Sequence, residues 1–303
     1  MPLKSLILIA MTVLTARAHG RTVTGDCPVS VRAPSASDRL GEFLPSLPIL
    51  DPYQGVSAKG KPTKLAAIYG NDDRQLVNAV YPYRTMGKLK SENSECTATL
   101  ISPCHIVTAR HCLNNLAGQT RAPGDFKYLP VGGTPSQVSA NAGFVGDDPG
   151  IPGDWAVLRL NANIGDDLGF SRLQFETPET LKNLKGYEAT GFSSDVQDGK
   201  RLSSDPTTEF LPPPPADQFG GPNVAAYRAD TFVGASGGPI WKFNSKGEAS
   251  IVALIATAIT VKDSQGQVVN QRRAAGDAFG GRAITTSGFM EQAQRWMGRN
   301  RCQ

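Results

Sequence analysis

Histidine is scarce in this chain of 303 residues, which contains only His19, His105 and His111. A histidine-rich metal centre is therefore excluded, and a histidine base has few possible positions. His19 lies where an N-terminal targeting segment ends, so two histidines remain as candidates for chemistry.

Long hydrophobic runs are also lacking. The apolar run at residues 6–14 is shorter than the roughly 20 residues that a membrane-spanning helix needs. With Lys4 before it and the small-x-small site Ala16-Arg17-Ala18 after it, this run predicts a secretory signal peptide over residues 1–18. We expect a protein secreted to the extracellular or periplasmic space, with no membrane anchor.

The chain has no large excess of charge of either sign. Its formal net charge is +4, and removal of Lys4 and Arg17 with the signal peptide leaves 29 basic and 27 acidic residues. So small a net charge does not favour a nucleic-acid partner. The five cysteines favour disulfides in an exported chain, and because their number is odd, one cysteine is left without a partner for an intramolecular disulfide.

Residues 19–66 are rich in Pro, Ser and Gly and show little apolar periodicity, which is typical of a pro-segment. Residues 67–303 are enough to bury a sizeable core. In this part short apolar runs alternate with turn residues, so the sequence predicts an almost all-β fold.

A serine lies among glycines in the stretch Gly234-Ala235-Ser236-Gly237-Gly238. Glycines allow backbone conformations in which N–H groups converge on one point while the hydroxyl stands clear. This pattern predicts a nucleophile on a tight turn. Such a serine needs a base, and the base needs a group that orients it.

Residues 96–103, Cys-Thr-Ala-Thr-Leu-Ile-Ser-Pro, and 107–112, Val-Thr-Ala-Arg-His-Cys, predict two short strands around a turn. The pair resembles the histidine box of chymotrypsin-like serine proteases. The resemblance implies that His111 is the general base and that Cys96 and Cys112 form a disulfide. His105 is predicted to be a structural histidine. A zinc site of Cys and His is less favoured, because exported chains pair their cysteines.

Asp154 begins the apolar run at residues 154–160. In the same family an aspartate before such a run accepts the imidazole N–H, so the resemblance implies this role for Asp154. Asp147 and Asp148 lie in a turn rich in glycine and proline and are predicted to be solvated loop charges.

The order His111, Asp154, Ser236 separates the classes of serine hydrolase. An α/β-hydrolase has its histidine after the serine, and no histidine follows Ser236. A subtilisin-like order would need an aspartate box before the histidine, and none is present. The order is that of chymotrypsin.

The resemblance implies an all-β fold of two antiparallel six-stranded Greek-key barrels, at about 67–178 and 179–303, followed by a C-terminal helix. Apolar residues share one face of that helix: Phe289, Met290, Ala293, Trp296 and Met297. The resemblance also allows Cys302 to pair with Cys104, although the connectivity of Cys27, Cys104 and Cys302 stays open.

The stretch Ala67-Ile68-Tyr69-Gly70-Asn71-Asp72-Asp73-Arg74 resembles the mature start of bacterial glutamyl-endopeptidase-like members of this clan. Cleavage of a zymogen near Ala67 or Ile68 is therefore expected. The family implies a monomeric endopeptidase that acts on proteins or peptides through a serine acyl-enzyme. The N–H groups of Gly234 and Ser236 would form its oxyanion hole, and no metal or organic cofactor is required.

Two positions depart from trypsin. Ala235 stands where trypsin-type enzymes have the aspartate that pairs with the new N-terminus, which fits the glutamyl-endopeptidase-like members better. Asp230, six residues before Ser236 and followed by Thr231, lies where trypsin-like enzymes place the acid that binds Arg or Lys. It predicts substrate binding at these two residues and a basic P1 residue, with a capped turn as the alternative.

Two alternatives remain open. The chain could be an inactive secreted protease homologue that serves as a binding module, with Phe232 and Val233 narrowing the cleft. It could also be a secreted esterase, which shares the chemistry and differs in the pocket.

Overall fold

The computed structural model describes residues 66–69, 71–92, 94–115, 119–148, 150–212, 221–257, 261–262, 268–269, 271–273 and 281–302. The predicted signal peptide and all of the predicted pro-segment except its last residue lie outside these ranges. Both stay predictions.

The described residues form mainly β-strands, which are, in chain order, β1 Ala66–Tyr69, β2 Gln75–Leu76, β3 Met86–Lys90, β4 Glu95–Leu100, β5 His105–Thr108, β6 Lys127–Pro130, β7 Val138–Val145, β8 Ala156–Leu160, β9 Arg172–Leu173, β10 Lys185–Gly191, β11 Ser203–Phe210, β12 Val224–Arg228, β13 Thr231–Phe232, β14 Pro239–Phe243, β15 Ala249–Thr257, β16 Val261–Lys262, β17 Val268–Val269, β18 Gln271–Arg273 and β19 Gly281–Thr285. The helices are α1 Gly165–Leu168, α2 Pro178–Leu181 and α3 Met290–Arg299.

The first barrel closes in the order β3-β4-β5-β8-β7-β6, with every neighbouring pair antiparallel. Its interior is filled by aliphatic and aromatic side chains that alternate along the strands, among them Leu100, Ile106, Tyr128 and Leu158. A barrel has no free edge, so all six ladders are satisfied internally.

The second barrel has the order β10-β14-β15-β19-β12-β11 and closes because β10 also pairs with β11. Its interior contains Tyr187, Phe210, Tyr227, Ile240 and Ile255. The prediction of two six-stranded antiparallel barrels is confirmed.

The first two strands pair with strands from the second half of the chain: β2 joins the sheet of the second barrel, and β1 lies in a separate three-stranded sheet between β13 and β18. β2 is antiparallel to β11, and β1 is antiparallel to β13. The predicted division into an N-terminal barrel at about 67–178 and a C-terminal barrel at about 179–303 stays a prediction, with β2 paired to β11 of the second barrel. Arg74 fixes this N-terminal segment, because its buried guanidinium binds Asp72 at 2.6 Å and Asp195 of the second barrel at 2.7 Å.

The two barrels meet across an apolar layer that also receives α3. Trp155 of the first barrel lies against Phe289, with 5.7 Å between ring centroids, and Trp296 stacks on Phe144 at 6.3 Å. Trp241 of the second barrel is fully buried in the same cluster. Burial of such aromatic side chains contributes a large part of the hydrophobic stabilisation of a domain. The predicted C-terminal helix is confirmed, with Ala293 and Trp296 facing this layer.

Two disulfides are present, Cys96–Cys112 and Cys104–Cys302. The second connects the first barrel to the end of α3. Beside it lies buried His105, whose Nε2 donates to the carbonyl of Asn300 at 2.9 Å and whose Nδ1 accepts from the Ser102 hydroxyl at 2.6 Å. Burial lowers the pKa of His105, which keeps this ring neutral. His105 thus has a structural place, as the sequence predicts.

Among the residues that the structure describes, no helix is both long enough and apolar enough to cross a membrane.

Candidate active site

His111 lies on the 3-10 turn Arg110–Leu113, directly after β5. Its neighbour Cys112 is bonded to Cys96 of β4, so the turn is covalently tied to the adjacent strand. The His111 side chain is 43% exposed, so part of the ring is open to solvent.

Asp154 reaches His111 because β5 and β8 are paired, with Thr108 opposite Ala156 at the ends that carry the two residues. The His111 N–H donates to Asp154 Oδ1 at 2.7 Å, and His111 Nδ1 lies 2.7 Å from Oδ2. An ionised carboxylate can only accept, so Nδ1 carries the proton. Nε2 of the neutral ring is then the nitrogen that can take up a proton.

Ser236 lies in the loop between β13 and β14 of the second barrel. Its carbonyl accepts from the N–H of Thr97 at 2.9 Å and lies 3.8 Å from Sγ of Cys112. Both Thr97 and Cys112 belong to the first barrel. These contacts bring Ser236 next to the segment that carries His111.

Two positions of this loop require glycine, because other parts of the chain approach the backbone closely there. Gly234 has φ +100°, and a Cβ there would lie 2.3 Å from the carbonyl oxygen of Phe192. Gly237 has φ +78°, and its Cβ would lie 2.2 Å from Thr108 Oγ1. Other L-residues at these positions would meet both backbone strain and a clash.

Two N–H groups of the loop face away from the protein's own acceptors. Val233 C=O accepts from Ser194 N–H at 2.8 Å, and Ala235 C=O accepts from Gly238 N–H at 2.9 Å. In a trans peptide the C=O and N–H point in opposite directions, so Gly234 N–H and Ser236 N–H point away from these partners. Within the described ranges neither N–H donates to a protein acceptor.

Asp230 and Thr231, the predicted substrate-binding residues, lie against the N-terminal segment. Asp230 is 4% exposed, and its Oδ1 accepts from the N–H of Tyr69 at 2.7 Å. Thr231 is 3% exposed and pairs with Ala67. The Asp230 carboxylate is thus bound to backbone and does not line an open pocket. Its position does not favour the predicted basic P1 preference, which stays a prediction.

Three carboxyl groups lie close together around Asp230, just before β13. Oxygens of Asp73, Asp205 and Asp230 lie within 4.8 Å of one another, and Asp205 Oδ2 accepts from the N–H of Asp230 at 2.6 Å. Burial, together with the charges of Asp205, Asp72 and Asp73, raises the pKa of Asp230 to about 8. Asp230 is therefore mostly protonated and neutral at pH 7.

Neither cysteine–histidine group in the described residues offers a thiolate to a metal. Cys96 and Cys112 lie near His111, and Cys104 and Cys302 lie near His105. All four sulfurs are in disulfides, which removes the ligand that a zinc site would use.

Residues 96–254 match the family model of the trypsin-like peptidase domain. The chain belongs to the trypsin-like peptidase family. The match covers β4 to most of β15 and therefore includes His111, Asp154 and Ser236.

Relatives of known identity agree with this family. The chain is 26% identical over 202 residues to a glutamyl endopeptidase of Bacillus licheniformis, covering 61% of this chain and 57% of that protein. It is 30% identical over 155 residues to serine protease 23 of Rattus norvegicus, covering 42% of this chain and 37% of that protein. The chain thus spans about half the length of these relatives or less.

Solved structures support the trypsin-like fold. A Glu endopeptidase in complex with MPD superposes with a TM-score of 0.56 at 23% identity, covering 77% of this chain and 100% of that one. The protease Anisep from Arthrobacter nicotinovorans gives a TM-score of 0.51 at 18% identity, covering 70% and 92%. At these identities the likeness concerns the fold alone.

Sequence reasoning missed Thr97 and Asp205. Thr97 lies inside the histidine box, but no local pattern shows that its hydroxyl is buried or which residues it binds. Asp205 lies in β11 and becomes visible only when the strand is folded against Asp230. No local pattern at Asp205 indicates this contact.

The raised pKa of Asp230 predicts that stability depends on pH in a defined direction. The folded chain holds this proton up to about pH 8, whereas the unfolded chain releases it near the ordinary pKa of an aspartate, 3.8. The native state thus binds more protons between these values, so the free energy of unfolding falls as pH rises from 4 to 8. The loss amounts to a few kcal/mol, at about 1.4 kcal/mol per pKa unit.

Urea titrations of the native chain and of Asp230→Asn across this range check the effect. The variant mimics the protonated side chain, so its curve should decline less steeply with pH. Asp125→Asn, a change at the exposed surface, serves as the control and should follow the native curve. Parallel curves for native chain and Asp230→Asn would show that Asp230 ionises normally.

Proposed function

We propose that this chain is a secreted serine endopeptidase in which His111, Asp154 and Ser236 form the catalytic triad. The observation that carries the proposal is the doubly hydrogen-bonded pair of His111 and Asp154, each bond 2.7 Å long, beside the loop of Ser236. Both carboxylate oxygens of Asp154 bind the same residue. They therefore fix the orientation of the imidazole as well as its tautomer.

The reaction follows from this arrangement. His111 Nε2 takes the hydroxyl proton of Ser236 as Oγ attacks the peptide carbonyl carbon, and Asp154 stabilises the imidazolium. The tetrahedral intermediate then collapses, and His111 passes its proton to the leaving amine. An acyl-enzyme on Ser236 remains, and water attacks it by the same steps in reverse.

The N–H groups of Gly234 and Ser236 are the proposed oxyanion hole. Their lack of protein acceptors in the described residues leaves both donors for the negative oxygen of the intermediate. Donors that are already oriented cost little reorganisation during the reaction, and removal of one typically costs about 3 to 4 kcal/mol of barrier.

We further propose that acidic P1 residues are preferred to basic ones. A carboxyl that is buried, bound to a backbone N–H and protonated at pH 7 offers little charge to an Arg or Lys side chain. The relative from Bacillus licheniformis is named a glutamyl endopeptidase.

Secretion and maturation belong to the same proposal. The signal peptide over residues 1–18 would direct export, and cleavage near Ala67 or Ile68 would release the pro-segment. β1 pairs with β13 just before the Ser236 loop, so this cleavage would occur beside the active site.

The triad is tested by labelling the processed protein with a fluorophosphonate, which traps activated serines. We expect labelling of the native chain, and none for Ser236→Ala. His111→Ala should lower the labelling rate and peptide turnover by more than about a thousandfold, because the hydroxyl loses its base. Ser245→Ala, an exposed serine, is the matched control and should label normally. A folded, processed native chain that does not label would favour the binding-module alternative.

The P1 preference is tested with a panel of peptides that differ only in having Glu, Gln, Lys or Arg at P1. We expect kcat/KM for Glu to exceed that for Lys and Arg by at least about tenfold, a difference of roughly 1.4 kcal/mol in transition-state binding. Gln separates the effect of charge from that of size. Fastest turnover after Lys or Arg would return Asp230 to the pocket role that the sequence predicts.

A further inference from the structure

Thr97 lies at the junction of the two barrels and is fully buried. It belongs to β4, next to the disulfide that holds the His111 turn. Its hydroxyl donates to the carbonyl of Gly234 at 2.8 Å and accepts from the N–H of Phe192 at 3.0 Å. One side chain of the first barrel thus bonds two separate segments of the second.

The main chain of Thr97 adds further bonds at the same point. Its N–H donates to the carbonyl of Ser236 at 2.9 Å, and its carbonyl accepts from the hydroxyl of Thr108 at 2.8 Å. Thr97 therefore holds the carbonyls of both Gly234 and Ser236. Between these two carbonyls lies the Gly234–Ala235 peptide, which connects the two candidate oxyanion donors, Gly234 N–H and Ser236 N–H.

The three consecutive peptide groups of this loop are fixed by different partners. Ser194 holds the peptide that contains Gly234 N–H, and Gly238 holds the one that contains Ser236 N–H. The peptide between them, from Gly234 to Ala235, is held on both sides. Its carbonyl accepts from the hydroxyl of Thr97, and its N–H donates to the carbonyl of Phe232, the last residue of β13, at 3.0 Å, so Thr97 supplies its bond to the first barrel. Rotation of this middle peptide would change the angle between the two N–H groups, since neighbouring peptide planes share a Cα atom.

We propose that Thr97 is a positioning residue for the oxyanion hole: its hydroxyl locks the Gly234–Ala235 peptide so that the N–H groups of Gly234 and Ser236 converge. This rests on the proposed endopeptidase function. Thr97 touches neither substrate nor reacting atoms and acts through the loop. Because the donors bind charge that exists only in the transition state, loss of the lock lowers kcat and leaves KM nearly unchanged.

The test compares Thr97→Val, which removes the hydroxyl and keeps the shape, with Thr97→Ser, which keeps the hydroxyl. In Thr97→Val we expect kcat to fall about 10- to 100-fold, less than the 10²- to 10³-fold typical for loss of a whole donor, with KM within about twofold. Affinity for a peptide boronic acid, which forms a tetrahedral adduct on serine, should fall by a similar factor. Affinity for the matching product peptide should not change. Thr97→Ser should retain most of the native kcat.

Thr99→Val is a matched control for the loss of a buried hydroxyl. Thr99 lies on the same strand, is equally buried, and its hydroxyl has no hydrogen-bond partner in the described part of the chain. This variant should keep the native kcat and the native affinity for the boronic acid. If Thr97→Val does not fold, Thr97→Ala is compared with Thr97→Ser in the same assays.

The outcomes separate the two proposals. A native chain without Ser236-dependent turnover refutes the endopeptidase before any Thr97 variant is measured. Native turnover together with an unchanged kcat in folded Thr97→Val, or an equal fall in Thr97→Ser, refutes the positioning role alone. An unchanged kcat with raised KM would also refute it, because the hydroxyl would then act on substrate binding.

Discussion

Hydrogen bonds between β4 and the loop that carries Ser236 join the two halves of the candidate site. His111 and Asp154 are fixed within the first barrel, whereas Ser236 belongs to the second. Packing of the two barrels brings the halves together but does not set the position of individual atoms. The bonds from Thr97 to Gly234 and Ser236 supply that precision, because hydrogen bonds are directional and apolar contacts are not.

The N-terminal segment is attached to the same loop from the other side. Asp230 accepts from the N–H of Tyr69, and Ala67 pairs with Thr231, so β1 lies against the residues that precede Ser236. A trypsin-type enzyme places an aspartate immediately before its serine, and this chain has Ala235 there. The segment around β1 is connected to the loop by Asp230 and by strand pairing, and burial raises the pKa of the Asp230 carboxyl to about 8.

Much of the fold and of the candidate site follows from the sequence, because the informative patterns are local. The glycines around Ser236, the box around His111 and the run after Asp154 each lie within a few residues, and they lead to the family and to the two barrels. The rest depends on contacts between distant residues. Thr97 and Gly234 are 137 positions apart, and Asp205 and Asp230 are 25 positions apart. These hydrogen bonds can therefore be seen only in the folded structure. The pairing of β1 with β13 and of β2 with β11 likewise joins residues that are far apart in the sequence.

The measurement that tests the central claim most directly is a rapid-quench experiment on the processed chain with a peptide ester, stopped in acid and analysed by mass spectrometry. Attack by Ser236 predicts that the acyl group accumulates before steady turnover, close to one per chain, and maps to the peptide that contains Ser236. Ester turnover without a covalent acyl group under conditions where deacylation is slowed, or an acyl group on another residue, would contradict the account.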